Sequence, residues 1–174
     1  SDVCSSDLSW QQALDEALGA GFDGIEARVP ETAAQRAINA RLLREQNVPY
    51  IATLFTSTPV LPRQSDSPQV HLEDLRMKLD WAVELGPRLV NVLPGNDRWT
   101  LSEQVDFFAR AAELASACGL HVCFEIHRGR SLYSPWVTLD VIRQVPELRF
   151  TSDISHWLVT CERLLDDPAD DLSA

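Results

Sequence analysis

The chain has 174 residues, 45% of them hydrophobic, and a formal net charge of −11 at pH 7. A chain of this length can bury a substantial core, and its hydrophobic content is ordinary for a soluble globular domain. The negative charge argues against a nucleic-acid partner, because binding phosphates along a duplex requires a basic face.

Cysteine usage and hydropathy bear on the compartment. Cys4, Cys118, Cys123 and Cys161 form no CxxC pair and no disulfide framework, which favours a reducing compartment. The sequence has no apolar run of about 18 residues and no signal-peptide pattern. We therefore expect a cytoplasmic protein with no membrane partner, and the sequence does not predict an oligomeric state.

Helical and strand patterns alternate along the chain. Capping motifs predict helices that begin after Ser9, Thr100 and Ser134, and helical composition predicts two more at 31–46 and 71–85. Apolar or alternating segments predict strands at about 22–28, 48–55, 88–93, 121–127 and 148–153. Strands separated by helices predict an α/β fold with one parallel sheet and right-handed crossovers.

The two ends depart from this pattern. Residues 1–8 have no strand character, so we interpret them as a non-native or disordered run that precedes a domain at 9–174. At the other end a helix is predicted to begin at Cys161, in a segment that becomes acidic. A complete (β/α)8 barrel needs about 250 residues, so we expect an incomplete barrel. Its unpaired edges would expose inner-face residues such as Leu54 and Leu93.

The segment 120–130, LHVCFEIHRGR, concentrates chemistry on one face of a strand. Its apolar residues alternate with a polar set that consists of His121, Cys123, Glu125 and His127. Burying Glu125 beside His127 is costly unless the two are paired, protonated or bound to a metal. A strand that becomes polar at its C-terminal end is typical of (β/α) active sites.

A second segment, 148–157, supports the same interpretation. Asp153 ends a predicted strand and His156 follows three residues later. Because parallel strands end at one edge of a sheet, these side chains should converge with Glu125 and His127, and such ligands suit Mn, Mg, Zn or Co. The alternative is a structural network in which His127 pairs with Glu125 and His156 caps a helix.

These segments carry a family resemblance. Residues 125–130 (EIHRGR), 134–136 (SPW) and 152–157 (SDISHW) resemble the xylose isomerase-like TIM-barrel superfamily, and within it the bacterial sugar phosphate isomerases and epimerases. Residues 21–26 (GFDGIE) match the second strand of that family, so the resemblance covers about 9–165. It implies a partial (β/α)8 TIM barrel of about five parallel strands, the second to the sixth, with helices outside.

The resemblance also implies a reaction. In the family a divalent metal is held by residues at the positions of Glu125 and Asp153, and the residue at His156 contacts substrate or metal, so we assign catalysis to Glu125 and His156. A carboxylate moves a proton alpha to a carbonyl of a small-molecule sugar or sugar phosphate. The ligands of the seventh and eighth strands are absent from the sequence, so we expect the chain alone to be inactive.

Several residues are candidates for substrate binding. Glu26 is a candidate proton-moving carboxylate, and its alternative is an ion pair with Arg28 or Arg130. Asn91 and Asn96 are also candidates for lining the pocket, because they lie near the end of a predicted strand.

The residues after the polar strand add further candidates. His127, Arg128 and Arg130 are candidates for substrate binding, the two arginines for a carboxylate or phosphate. Arg128 and Arg130 could equally be structural partners of Asp153 or Glu125. Trp136 and Trp157 are expected to pack rather than to bind sugar.

Two other classes of function stay open. A metal-dependent hydrolase of the same fold, such as an apurinic endonuclease, would need a histidine-rich zinc centre and a basic groove. The four histidines and the charge of −11 argue against it. The other alternative is a non-catalytic carbohydrate-binding barrel that keeps the pocket and lacks the metal.

Overall fold

A computed structural model describes residues 9–57, 60–167 and 170. The interpretation of residues 1–8 lies outside the described residues. The strands are β1 Ile25–Arg28, β2 Tyr50–Phe55, β3 Leu89–Leu93, β4 Val122–Glu125 and β5 Phe150–Thr151. The helices are α1 Trp10–Gly19, α2 Ala33–Gln46, α3 Pro68–Leu85, α4 Leu101–Ala117, α5 Pro135–Gln144 and α6 Ile154–Cys161.

The five strands form one parallel sheet in chain order, β1-β2-β3-β4-β5. The predicted partial TIM barrel of adjacent parallel strands is confirmed. The register sets Asn91 between Thr53 of β2 and Cys123 of β4, and pairs Glu125 with Thr151. Polar side chains from neighbouring strands therefore share one face of the sheet.

Local sequence determines where the helices start. The hydroxyls of Ser9 and Thr100 each accept a hydrogen bond from the third helical residue, whose side chain bonds back to the cap. Ser134 caps α5 with Pro135 in its first turn. All three predicted starts are confirmed, because these caps satisfy amide groups that the first helical turn leaves without partners.

The opposite face of the sheet packs against the helices. Val122, Phe124 and Ile126 are buried there, as the alternation in β4 predicts. The expected exposure of Leu54 and Leu93 is wrong: they are 2% and 4% exposed. Leu54 lies one residue after Thr53 and therefore points to the helix side, where it joins the hydrophobic core.

The last helix and strand differ from the prediction. The helix expected to begin at Cys161 instead ends there, and Glu162 follows in a left-handed conformation with φ of 52°. The helix starts after Asp153, whose side chain accepts a hydrogen bond from the backbone of Ser155. This cap takes Asp153 out of the strand, and β5 is shorter than predicted, with bounds at Phe150–Thr151.

Among the helices that the structure describes, none combines the length and the apolar character needed to cross a bilayer.

Candidate active site

A row of hydrogen bonds crosses the inner face of the sheet. The Asn91 side-chain amide donates to Glu125 Oε2 at 2.5 Å and to Glu26 Oε1 at 3.3 Å. The Thr53 hydroxyl donates to the same Glu26 oxygen at 2.9 Å. Glu26 is thus held by Thr53 and Asn91, and the alternative in which it forms an ion pair with Arg28 or Arg130 is not observed among the described residues.

Three potential metal ligands converge at the C-terminal edge of β4 and β5. Glu125, Asp153 and His156 each place one donor atom within 4.8 Å of the others. The two carboxylates therefore lie at the separation expected for residues that share one ion. Oxygen donors with one imidazole form a donor set that fits a divalent ion such as Zn, Mn, Mg or Co.

Asp153 is oriented by the helix that it caps. Its Oδ1 atom accepts hydrogen bonds from the backbone and hydroxyl of Ser155, at 3.1 and 2.5 Å. Its Oδ2 atom lies 3.5 Å from Nε2 of His156. One oxygen is thus occupied by the cap while the other faces the cluster.

The structural network considered as the alternative is not what the structure shows. The residue that caps α6 is Asp153 and not His156. His127 Nδ1 lies 2.6 Å from the carbonyl oxygen of Arg128, and in the described part of the chain no ion pair joins His127 to Glu125. The His127 and His156 rings instead lie against each other, with centroids 3.9 Å apart.

The electrostatics of the cluster favour a cation. Burial raises the pKa of Glu125; the hydrogen bond from Asn91 opposes this, and the negative charges of Glu26 and Asp153 add to it. Burial is the largest of these causes, ahead of the repulsion between the carboxylates. A divalent ion at this position would offset both the burial and the repulsion.

Burial lowers the pKa of both histidines, which favours their neutral form. Burial, followed by the charge of neighbouring His156, lowers the pKa of His127 to about 4. Burial also lowers the pKa of His156, while Asp153 opposes that shift. Neutral imidazole is the form that binds metals. Within the described residues, the buried Nδ1 atom of His156 has no hydrogen-bond partner.

Arg130 is a correction to the sequence-based prediction. Its side chain is fully buried, and it donates to the backbone carbonyls of Thr56 at 2.8 Å, Gly95 at 3.4 Å and Val60 at 2.5 Å. Its role is therefore to join three loops, with carbonyls as partners in place of the expected carboxylates. Arg128, by contrast, is exposed at the edge of the site.

Asn96 is also a structural residue. It is 0% exposed, donates to the Arg63 carbonyl at 3.3 Å and accepts from the Arg98 amide at 2.9 Å, so it does not line the pocket. Trp157 packs as expected, in a small cluster with Ile126. Trp136 does not, because it is 50% exposed.

A pocket that no sequence pattern predicted lies beside the row of hydrogen bonds. It has a volume of about 420 Å³ and is lined at the ends of β1 and β2 by residues that include Arg28, Phe55 and Arg63. The alternation in β1 was a sequence signal that places Arg28 on the face of the site, because Arg28 follows Glu26 by two residues and so shares its face. A pocket of about 480 Å³ lies at the other end of β4, near His121, and includes none of the candidate residues.

Comparison with known proteins identifies the family of the chain. The family model of the xylose isomerase-like TIM barrel matches residues 14–172. The chain belongs to this family. No curated protein matches its sequence.

Several solved structures share the fold of this chain. The probable 3-DHS dehydratase AsbF of Bacillus anthracis is 14% identical, with a TM-score of 0.68 over 91% of this chain and 62% of AsbF. The IOLI protein, solved with a bound zinc atom, is 13% identical, with a TM-score of 0.66 over 94% of this chain and 65% of that protein.

A third similar structure is a sugar epimerase. The D-allulose 3-epimerase of Methylomonas sp., solved in complex with D-allulose, is 21% identical, with a TM-score of 0.61 over 80% of this chain and 55% of the epimerase. The chain thus spans less than two thirds of the length of each of these three proteins. At these identities the likeness establishes the fold.

Proposed function

We propose that this chain forms part of a divalent-metal-dependent enzyme that isomerises or epimerises a sugar or sugar phosphate by moving a proton alpha to a carbonyl. The observation that carries the proposal is the convergence of Glu125, Asp153 and His156 within 4.8 Å. A sugar epimerase and a zinc-binding protein among the structures of the same fold support it.

The proposed metal ligands are Glu125 and Asp153, with His156 as a third ligand or a substrate contact. When bound, a divalent ion supplies polarisation of the substrate carbonyl. Asn91 positions Glu125 by donating to its Oε2 atom, and the helix cap positions Asp153. The site is thus built from side chains that the sheet edge already orients.

Glu26 and His127 are the proposed substrate-handling residues. Glu26 is exposed on the same face, and the hydrogen bonds from Thr53 and Asn91 hold it in place as a candidate proton-moving carboxylate. The short contact of His127 Nδ1 with a carbonyl requires a proton on Nδ1, which leaves Nε2 able to accept from a substrate hydroxyl. Exposed Arg128 is proposed to contact substrate at the rim.

We propose that turnover requires the complete barrel. The family resemblance implies two further ligands on the seventh and eighth strands, and fewer ligands give weaker metal binding. We therefore expect the chain alone to bind a divalent ion weakly and not to turn over a sugar.

Metal titration tests the proposed centre. Mn²⁺ is titrated calorimetrically into the metal-free chain and into Glu125→Gln and Asp153→Asn variants. Each substitution should weaken binding at least about tenfold, because each removes an anionic ligand. Glu113→Gln is the matched control, since it removes one exposed carboxylate on α4. Equal Mn²⁺ affinity in all four proteins would contradict the proposal.

Proton exchange tests the reaction. In a protein with the barrel complete, D-allulose incubated in D₂O with Mn²⁺ should gain deuterium next to its carbonyl, as measured by proton NMR. The Glu125→Gln variant should lose this exchange, and Glu113→Gln should keep it. Exchange that persists after Glu125→Gln would show that the reaction does not use this centre.

A further inference from the structure

The pocket of about 420 Å³ at the ends of β1 and β2 carries positive charge in an otherwise acidic chain. Arg28, Arg63 and Lys78 contribute cations to its lining, and Glu31 contributes one carboxylate. The pocket opens at the C-terminal edge of the sheet, the same edge that presents the proposed metal ligands.

Arg28 connects this pocket to the candidate active site. It ends β1 on the face that also presents Glu26, and the register pairs it with Thr53, whose hydroxyl donates to Glu26. The row of hydrogen bonds then continues through Asn91 to Glu125. A substrate bound at Glu125 and extending along this row would therefore reach Arg28.

The Arg28 side chain is held by an aromatic ring. Its guanidinium lies 4.6 Å from the centroid of the Phe55 ring. Stacking on a ring covers one face of the guanidinium and leaves the N–H donors at its edge directed outward. Arg28 is thus oriented for recognition of a planar or tetrahedral oxyanion.

The positive charges of Arg28 and Arg63 are not neutralised by an ion pair with any described carboxylate, Glu31 included. Lys78 differs, because it pairs with Asp74 at 2.6 Å and donates to the Phe55 carbonyl at 2.7 Å. The charge available to a ligand in this pocket therefore comes from the two arginines.

We propose that Arg28, supported by Phe55 and Arg63, forms an anion subsite that binds a carboxylate or phosphate group of the substrate. The inference rests on the proposed function, since it places this group on the substrate that the metal centre acts on. The anion-binding role predicted for Arg130 is thus assigned to Arg28 instead. The Arg130 guanidinium donates to backbone carbonyls, whereas Arg28 is exposed. The guanidinium would bind two oxygens through a forked pair of hydrogen bonds.

Anion titration tests the subsite. Inorganic phosphate and acetate are titrated separately into the metal-free chain with a chelator present, and binding is followed by NMR shifts of the arginine Nε–H groups. Arg28→Gln should weaken binding of the preferred anion at least about tenfold, the range expected for a charge-assisted bidentate contact. Tighter binding of phosphate indicates a phosphorylated substrate, and tighter binding of acetate indicates a sugar acid.

Matched variants separate the subsite from net charge. Arg41→Gln makes the same charge change on α2, where Arg41 is 67% exposed and pairs with Glu45 at 3.7 Å. This variant should bind anions like the unmodified chain. Arg28→Lys keeps the charge but loses the fork and should bind with intermediate affinity. Circular dichroism confirms that each variant is folded.

The outcomes distinguish this inference from the proposed function. If the unmodified chain binds phosphate or acetate through Arg28 but binds no Mn²⁺, the metal-dependent function fails and the anion subsite stands. If it binds Mn²⁺ and neither anion saturably, the anion subsite is overturned and the metal centre stands. Equal weakening by Arg28→Gln and Arg41→Gln also overturns the subsite, because binding would then follow net charge alone.

Discussion

Two polar clusters that contain histidine lie at the same edge of the sheet. The buried cluster consists of Thr56, His71 and Arg130. The metal-site cluster, so called because it is the proposed metal centre, consists of Glu125, Asp153 and His156. In the buried cluster all three residues are 0% exposed. In the metal-site cluster the side chains of Asp153 and His156 are 42% and 14% exposed.

The clusters also differ in what satisfies their polar groups. Thr56 bonds to His71 at 2.8 Å, to the backbone of Gly95 at 2.7 Å and, through its carbonyl, to Arg130. The metal-site cluster instead brings like charges together, and the contact between Asp153 Oδ2 and His156 Nε2 is long at 3.5 Å.

This difference shows that similar polar residues have opposite effects on stability in the two clusters. Where backbone carbonyls from two other loops surround a cation, the polar group stabilises the fold. Where carboxylates are left near each other with room for a ligand, their arrangement is costly without that ligand. Substitutions in the buried cluster should therefore destabilise the protein, and neutralising the metal-site cluster should not.

The largest expected effect is on Arg130. Replacing it with methionine removes the donors to three backbone carbonyls, and the free energy of unfolding should fall by roughly 3 kcal/mol or more. Urea unfolding measures this difference. Arg128→Met, at an exposed position, is the control and should change stability by no more than about 0.5 kcal/mol. A loss below about 1 kcal/mol for Arg130→Met would remove the distinction between the clusters.

The second effect is a pH dependence from His71. Burial, followed by the charge of Arg130, lowers its pKa to about 4, below the value of 6.5 expected when unfolded. The unfolded chain then binds the proton first, so this contribution is complete above about pH 6.5 and is lost as the pH falls to about 4. The loss is on the order of 3 kcal/mol.

Comparison with His71→Gln isolates this contribution. The difference in unfolding free energy between the two proteins should shrink as the pH falls from about 7 to about 4, because glutamine does not titrate. Contributions from His127 and His156 are common to both proteins and cancel in the difference. A difference that is constant with pH would show that His71 is not held neutral by its surroundings.

The third effect is on metal affinity and concerns Asn91. Asn91→Ala should weaken Mn²⁺ binding about 10- to 100-fold, because the amide that orients Glu125 is lost. Asn96→Ala is the control: Asn96 is equally buried but bonds to loop backbone, so its loss should lower stability without changing Mn²⁺ affinity. Calorimetric titration of the folded variants measures both. Equal affinity in the two variants would deny Asn91 a positioning role.

The smallest effect is an increase in stability. In the metal-free chain at neutral pH, Glu125→Gln should raise the free energy of unfolding by about 0.5–1 kcal/mol, because burial and like charges disfavour the ionised carboxylate. The folded-state pKa is raised, so this gain should disappear as the pH falls to about 3, below the ordinary glutamate pKa of 4.5, where Glu125 is protonated in both states. Unfolding in urea at the two pH values measures it. A loss of stability at neutral pH would place Glu125 with the buried cluster.

Local sequence patterns predicted most of the fold. Alternation of period two identified the faces of β4. Capping boxes, in which a hydroxyl residue precedes a glutamate or glutamine by three positions, identified helix starts. These signals depend on neighbours in the chain, so they can be read directly. The boundaries of β5 were predicted less well, because the cap made by Asp153 competes with the strand pattern.

The candidate site was predicted in part for the same reason. Glu125 ends β4 and Asp153 follows β5 by two residues, and parallel strands end together, so their convergence follows from topology. The place of Arg130 did not follow, because its carbonyl partners at Thr56 and Gly95 are 74 and 35 residues away in the chain. Arg28 was missed because the partner of its guanidinium, the Phe55 ring, belongs to the neighbouring strand.

The sequence by itself thus determined the order of elements, the polar face of the sheet and the carboxylates that meet at its edge, because each depends on periodicity and capping within a few residues. Only the tertiary structure decided which cations stabilise loops and which face a pocket. That choice depends on backbone carbonyls and rings supplied by distant segments, and a buried guanidinium binds whichever of them the fold brings within hydrogen-bond distance.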